Sequence, residues 1–242
     1  MAVAYDASSA LALETTISPA TIVHIPASTP KGVLAFIINA DDTVDHVSSV
    51  TYGGTTMSAV SGGIATTSAG GEDGLCKAYF LGSSVPTGTQ TLSVSFTGSK
   101  TTWVAVITVT ASGDTEVYTS GISLIQEVGT LAEVSVNDGS PGTNSTRFGG
   151  LFTGLATPPS AGANSTVIQS RDIASIGGSV VRETTAGQGA RSIGWSSGTS
   201  DDRAAVLLAI REVAGGGAAT IFRKAYNQPA GKRPIGRVTV GL

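Results

Sequence analysis

The segment that most constrains this chain is Lys31-Gly-Val-Leu-Ala-Phe-Ile-Ile-Asn39, a stretch of strand length whose interior has no polar residue. Successive side chains of a β-strand point to opposite faces, so a run without polar alternation has to bury both. Pro30 precedes it and Asp41-Asp42 marks a turn after it. It reads as a central strand covered on each side. Thr101 to Thr110 is a second such run, opening on Trp103.

Alternating segments lie around these two. Thr21 to Ile25 alternates and stops at Pro26, and Thr89 to Phe96 puts Leu92, Val94 and Phe96 on one face. Leu131 to Val136 alternates up to the turn Asn137-Asp-Gly139. Val47 to Tyr52, Gly53-Gly54, then Thr55 to Val60 reads as a hairpin, because glycine accepts the positive φ of two-residue turns. Leu75 to Leu81, Ser165 to Gln169, Ser179 to Glu183 and Ala190 to Ser196 are further short strands. Ser61 to Gly74 reads as a Gly/Ser/Ala loop. Arg147 to Leu155 has β character with glycine interruptions, which suggest bulges or close packing. Arg203 to Val213 fits helix or strand by period, and is taken as strand from its likeness to the two central runs.

No long helix and no internal repeat is evident. About twelve short strands with turn signals between them predict an all-β protein, an antiparallel β-sandwich of jelly-roll-like type. Composition agrees. Leu, Glu, Lys, Gln and Arg, on which helices draw, are scarce, charged residues are 13% of the chain, and mean hydropathy is +0.22, so disorder is excluded as well. A surface this poor in charge suits either life in an assembly or a Ser/Thr-hydrated extracellular domain.

Domain organisation follows from charge. Residues 1–214 form the expected body and 215–242 an extended arm hinged at Gly215-Gly-Gly217. The arm carries Arg223, Lys224, Lys232, Arg233 and Arg237 and no acidic residue, whereas all 17 acidic residues precede it. With Phe222 and Tyr226 as apolar anchors, these seven residues are the candidate partner-docking set. A solvated tail is the alternative. The N-terminus has no basic region and no apolar span, so neither a signal peptide nor a membrane segment is expected.

Candidate chemistry is sparse. His46 lies near Asp41, Asp42 and Asp45, a set that could ligate a metal but lacks the spacing of a calcium loop, so a polar turn is expected and no cofactor. Asp114/Glu116 and Asp201/Asp202 read as solvated turn carboxylates rather than a hydrolytic pair. Trp103 and Trp195 read as core anchors rather than sugar platforms, and the lone Cys76 as a small core side chain. Asn144-Ser-Thr146 and Asn164-Ser-Thr166 match the glycosylation sequon and are taken as polar loops. No nucleophile elbow or phosphate loop is present, and an acidic body disfavours nucleic acid.

Four segments together resemble a β-sandwich family of bacteriophage virion proteins: Tyr5-Asp-Ala-Ser-Ser9; Val50-Thr-Tyr-Gly-Gly-Thr-Thr-Met57; Ala78-Tyr-Phe-Leu81 with Pro86-Thr-Gly-Thr89 and Leu92-Ser-Val-Ser-Phe96; and Trp195 with Arg203 to Val213. The resemblance spans residues 5–213 and leaves out the basic arm. It implies a non-enzymatic structural role, such as capsid decoration (cement) or a head accessory, in the virion after assembly in the host cytoplasm. Its implied partners are major capsid or other virion proteins and further copies of itself. A carbohydrate- or receptor-binding fibre or tail module is the rival expectation, with a glycan as partner.

Overall fold

The computed structural model describes residues 2–12, 15–40, 42–68, 72–98, 101–139, 145–173 and 176–213. Among them the fold is all-β. The first half holds β1 (Ala4–Ala10), β2 (Ala20–His24), β3 (Gly32–Ala40), β4 (Val47–Tyr52), β5 (Thr55–Thr56), β6 (Ser58–Thr67), β7 (Gly74–Leu81), β8 (Gln90–Phe96) and β9 (Thr102–Thr110). The second holds β10 (Thr115–Val117), β11 (Ser123–Leu131), β12 (Val134–Val136), β13 (Thr146–Thr153), β14 (Ser160–Ala161), β15 (Ser165–Ile173), β16 (Ile176–Glu183), β17 (Arg191–Ile193) and β18 (Trp195–Glu212).

Every pairing is antiparallel, and the pairs are nested. In the first half β1 pairs β9, β2 pairs β8 and β3 pairs β7. The second half repeats this: β10 and β11 pair β18, β12 pairs β17 and β13 pairs β16. Two sheets thus have matching orders, β1-β9-β3-β7-β6 and β10-β18-β13-β16-β15. The repetition lies in strand order and has no counterpart in the sequence.

The two sheets stack face to face. Leu34, Phe36, Ile38, Trp103, Ala105 and Ile107 of the first pack on Phe148, Phe152, Val180, Val206 and Leu208 of the second. The opposite face of the first sheet, with Val33, Ala35, Ile37 and Val104, is covered by the outer sheet β2-β8-β4-β5 through Ile22, Val50, Tyr52, Leu92 and Val94. The opposite face of the second, with Leu151, Val181, Ala205 and Leu207, is covered by Val136 of β12, Ile193 of β17, and Trp195. Both large sheets are therefore inner layers, and so β3 is buried at every position. β18 has the same cause for its buried run Asp202–Ile210, and it is a strand as expected.

The seam between the halves is close because aromatic rings sit over glycines. A methyl on Gly150 would overlap the Phe36 ring, and one on Gly74 would overlap Phe152. A methyl on Gly178 would lie 2.6 Å from Trp103. The glycines of 147–155 thus mark close packing, with β13 pairing regularly along both flanks.

Other boundaries differ from expectation. β6 continues to Thr67, through the segment expected to be a loop, with Gly62 at φ +75° where its register shifts. Leu131 closes β11 rather than opening a strand with Val136. Gly194, at φ +138°, separates β17 from β18. The Gly53-Gly54 hairpin forms as expected, with φ of +56° and +79°.

Candidate functional site

The docking set Phe222, Arg223, Lys224, Tyr226, Lys232, Arg233 and Arg237 lies outside the described residues. The described chain reaches Val213, and the surface it reaches is a groove. β6 ends one large sheet and β10 ends the other, and between these two outermost strands lies a cavity of about 470 Å³. Val60, Phe80 and Val117 give it apolar lining, and Asp114, Glu116 and Val213 line it too. The Val213 N–H donates to the Asp114 carbonyl at 2.8 Å. Glu116 accepts from Arg211 Nε at 2.8 Å, and that guanidinium lies 4.5 Å from the Tyr118 ring centre. Close by, the Ser112 hydroxyl and the Gly113 N–H hold the Glu212 carboxyl below its usual range. Asp114 is exposed, as expected of a turn carboxylate, whereas Glu116 stands inside β10 and is ion-paired, which the turn reading did not foresee.

The other acidic doublet differs from expectation. Asp202 is buried and accepts from the Glu72 N–H at 3.0 Å, and Asp201 accepts from Thr153 Oγ1 at 2.8 Å. Both lie inside the long strand β18, where their backbone is paired with β11. They are structural carboxylates of a strand, not solvated turn residues. Asp42 pairs with His46 Nε2 at 2.8 Å while Asp45 turns to Lys77, so these candidate ligands diverge. Asp41 lies outside the described residues. Among the described residues no group of three or more His, Cys, Asp or Glu could hold a metal.

Two buried polar constellations escaped the sequence reading. In the first, Thr108 Oγ1 donates to Asp6 Oδ2 at 2.8 Å, so it accepts from His24 Nε2 at 3.2 Å. With the proton on Nε2, His24 Nδ1 accepts from Ser9 Oγ at 2.9 Å. Burial lowers the His24 pKa, more than nearby Asp6 raises it. A serine, a neutral imidazole and a carboxylate thus share one hydrogen-bond chain. Ser9 lies within the paired part of β1, opposite Val106, and not at an elbow where free N–H groups could gather on a developing oxyanion. The chain ties β1, β2 and β9 together. Its members carry no local motif, so nothing short-range could reveal them.

In the second, Arg147 is fully buried in β13. Its Nη1 donates to Glu183 Oε2 at 3.0 Å and to the Gly187 carbonyl at 3.1 Å, and Nε donates to the Val136 carbonyl at 2.9 Å. Nη2 reaches the Gly189 carbonyl and lies 3.5 Å from Asp138, which accepts from Ser145 Oγ at 2.6 Å. Burial pushes the Glu183 carboxyl up, against the pull of Arg147. An arginine opening Phe-Gly-Gly-Leu-Phe was the available signal, since a cation there needs partners.

The expected aromatic anchors are in place. Trp103 Nε1 donates to the Leu11 carbonyl at 3.0 Å and Trp195 Nε1 to Ser179 Oγ at 2.9 Å, both rings being buried. Tyr79 is buried and Cys76 is a free, buried thiol. Asn164 turns its amide to Glu133 at 2.8 Å, and Asn144 lies outside the described residues. No helix among the described residues is long and apolar enough to cross a membrane. Comparison with protein-family models, curated proteins and solved structures finds no match to this chain.

Proposed function

We propose that this protein is a non-enzymatic structural component of a bacteriophage virion, a capsid decoration or cement protein or a head accessory. It acts by burying surface against neighbouring subunits. The observation that carries this reading is an exposed apolar edge strand whose own segment carries no charged residue, Asp6 of β1 reaching only its end at Ala27 and Ser28. β2 is the outermost strand of its sheet, and Val23 and Ile25 are each 66% exposed, with Ile17 at 72%. No Asp, Glu, Lys or Arg occurs from Thr15 to Pro30. Proteins that work alone blunt such an edge with charge; one left apolar suits pairing with a partner. The nested strand order, read as jelly-roll-like, and the motif resemblance support the same role, and the basic arm adds a second contact.

The rival reading, a carbohydrate- or receptor-binding tail module, calls for exposed aromatic platforms. Trp103, Trp195 and Tyr79 are buried, and Arg211 lies over Tyr118, which leaves that reading weaker. The test is co-sedimentation with undecorated particles of the cognate virus. Full-length protein is expected to bind, and Val23→Glu with Ile25→Glu to abolish binding while leaving the fold intact by circular dichroism. Absence of binding by the unaltered protein would sink the decoration reading, and a glycan screen would follow.

A further inference from the structure

We infer that the groove between β6 and β10 is the acceptor for the C-terminal segment of a second copy of this chain, so that two copies exchange arms reciprocally. The inference rests on reading residues 215–242 as a docking arm, and not on where in a virion the protein sits.

The groove has the right build for an extended peptide. It runs between two strands that each end a sheet, and a segment laid there can add main-chain hydrogen bonds to such an edge. Its lining offers Val60, Phe80 and Val117 to an apolar anchor. Its charge is complementary to the arm. Asp114 and Glu116 line it and Glu212 lies beside it, with Arg211 as the paired cation on Glu116. The arm brings five cations and no anion, with Phe222 directly before Arg223-Lys224. In this arrangement Phe222 enters the apolar lining and Arg223 or Lys224 meets Asp114.

The point of departure closes one route of folding back and sets the arm's root at the groove. Val213 is itself a wall of the groove, and only Ala214 separates it from Gly215-Gly-Gly217. A hairpin back onto β18 is closed off, because β13 occupies one side of it and β10 and β11 the other. Each copy carries groove and arm root side by side, so a two-fold axis near Val213 lets each arm reach the other copy through a short linker. The same patch then serves on both subunits, as closed dimers require.

The experiment is light-scattering mass measurement of full-length protein, of a chain ending at Gly215, and of full-length Asp114→Lys with Val117→Arg. It is paired with titration of a labelled peptide of residues 218–242 into the truncated chain. The full-length protein is expected to be a dimer or larger, and the other two monomeric with unchanged circular dichroism. The peptide should bind the truncated body, and about tenfold or more weaker when the groove carries the two substitutions. A monomeric full-length protein, a truncated chain that keeps its oligomeric state, or a peptide that binds wild-type and substituted grooves alike would each overturn the proposal. Particle co-sedimentation that survives such a result would leave the structural role standing without arm exchange.

Discussion

The two halves of this protein share one strand order and close it in different ways. In the first, the outer layer is a sheet whose inward residues, Ile22, Val50, Tyr52, Leu92 and Val94, form an apolar layer over Val33, Ala35 and Ile37. In the second, the outer layer is the short pair β12-β17. There the loops after Val136 and Glu183 are gathered by one buried guanidinium, which bonds Glu183 and the carbonyls of Val136, Gly187 and Gly189. Nested antiparallel pairing fixes the path of the chain. What covers the outer face can be hydrocarbon or a satisfied ionic cluster. The second solution gathers the cover around Arg147, with Arg191 at 3.4 Å as a second cation on Glu183, and removing one member of such a buried cluster leaves its partners poorly compensated.

The largest effect that this comparison predicts is at that side chain. Arg147→Ala should cost about 3–5 kcal/mol, because Glu183 and Asp138 would lose the buried guanidinium between them and Glu183 would be left to the more exposed Arg191 at 3.4 Å. Urea unfolding measures it. Replacing the cluster together, with Arg147→Met, Glu183→Leu and Asp138→Asn, should recover most of the loss, and failure to recover would mean that shape rather than charge holds this layer. On the apolar side, Leu92→Ala should cost about 2–5 kcal/mol by leaving a cavity under the outer sheet. Hydrogen exchange should then show lost protection in β2, β8 and β4 with β12 and β17 unaffected.

A smaller cost is expected at the seam. Gly150→Ala should destabilise by about 1–3 kcal/mol, since the new methyl must displace Phe36. The thiol of Cys76 lies against the same glycine, and burial pushes its pKa up to about 12, so it should label only on unfolding. The smallest effect is pH-dependent. The folded state holds His24 neutral, with its pKa below the ordinary 6.5. Folding stability from this group is therefore complete above that value and is lost as pH falls through the lowered folded-state pKa. The melting temperature should decline on acidification below neutrality, and His24→Gln should flatten that decline.

The legible parts of the sequence were those governed by local rules. Lys31 to Asn39 announces burial on both faces, Gly53-Gly54 announces its hairpin, and Leu92, Val94 and Phe96 announce their shared face. The illegible parts depend on tertiary partners. Asp202 reads as solvent-exposed until β11 and the Glu72 N–H are placed beside it. Ser61 to Thr67 reads as loop because Gly62-Gly63 breaks its pattern, yet β7 pairs it on both sides of that break. The groove is invisible to any reading along the chain, because β6 and β10 are about fifty residues apart and meet only when the two halves stack.

The rings of Phe36, Phe152 and Trp103 seated on Gly150, Gly74 and Gly178 join the two halves into one cooperative block. Differential scanning calorimetry of the full-length protein tests this most directly. One transition is expected, with calorimetric and van't Hoff enthalpies that agree. Two separable transitions, with Gly150→Ala shifting neither, would contradict it.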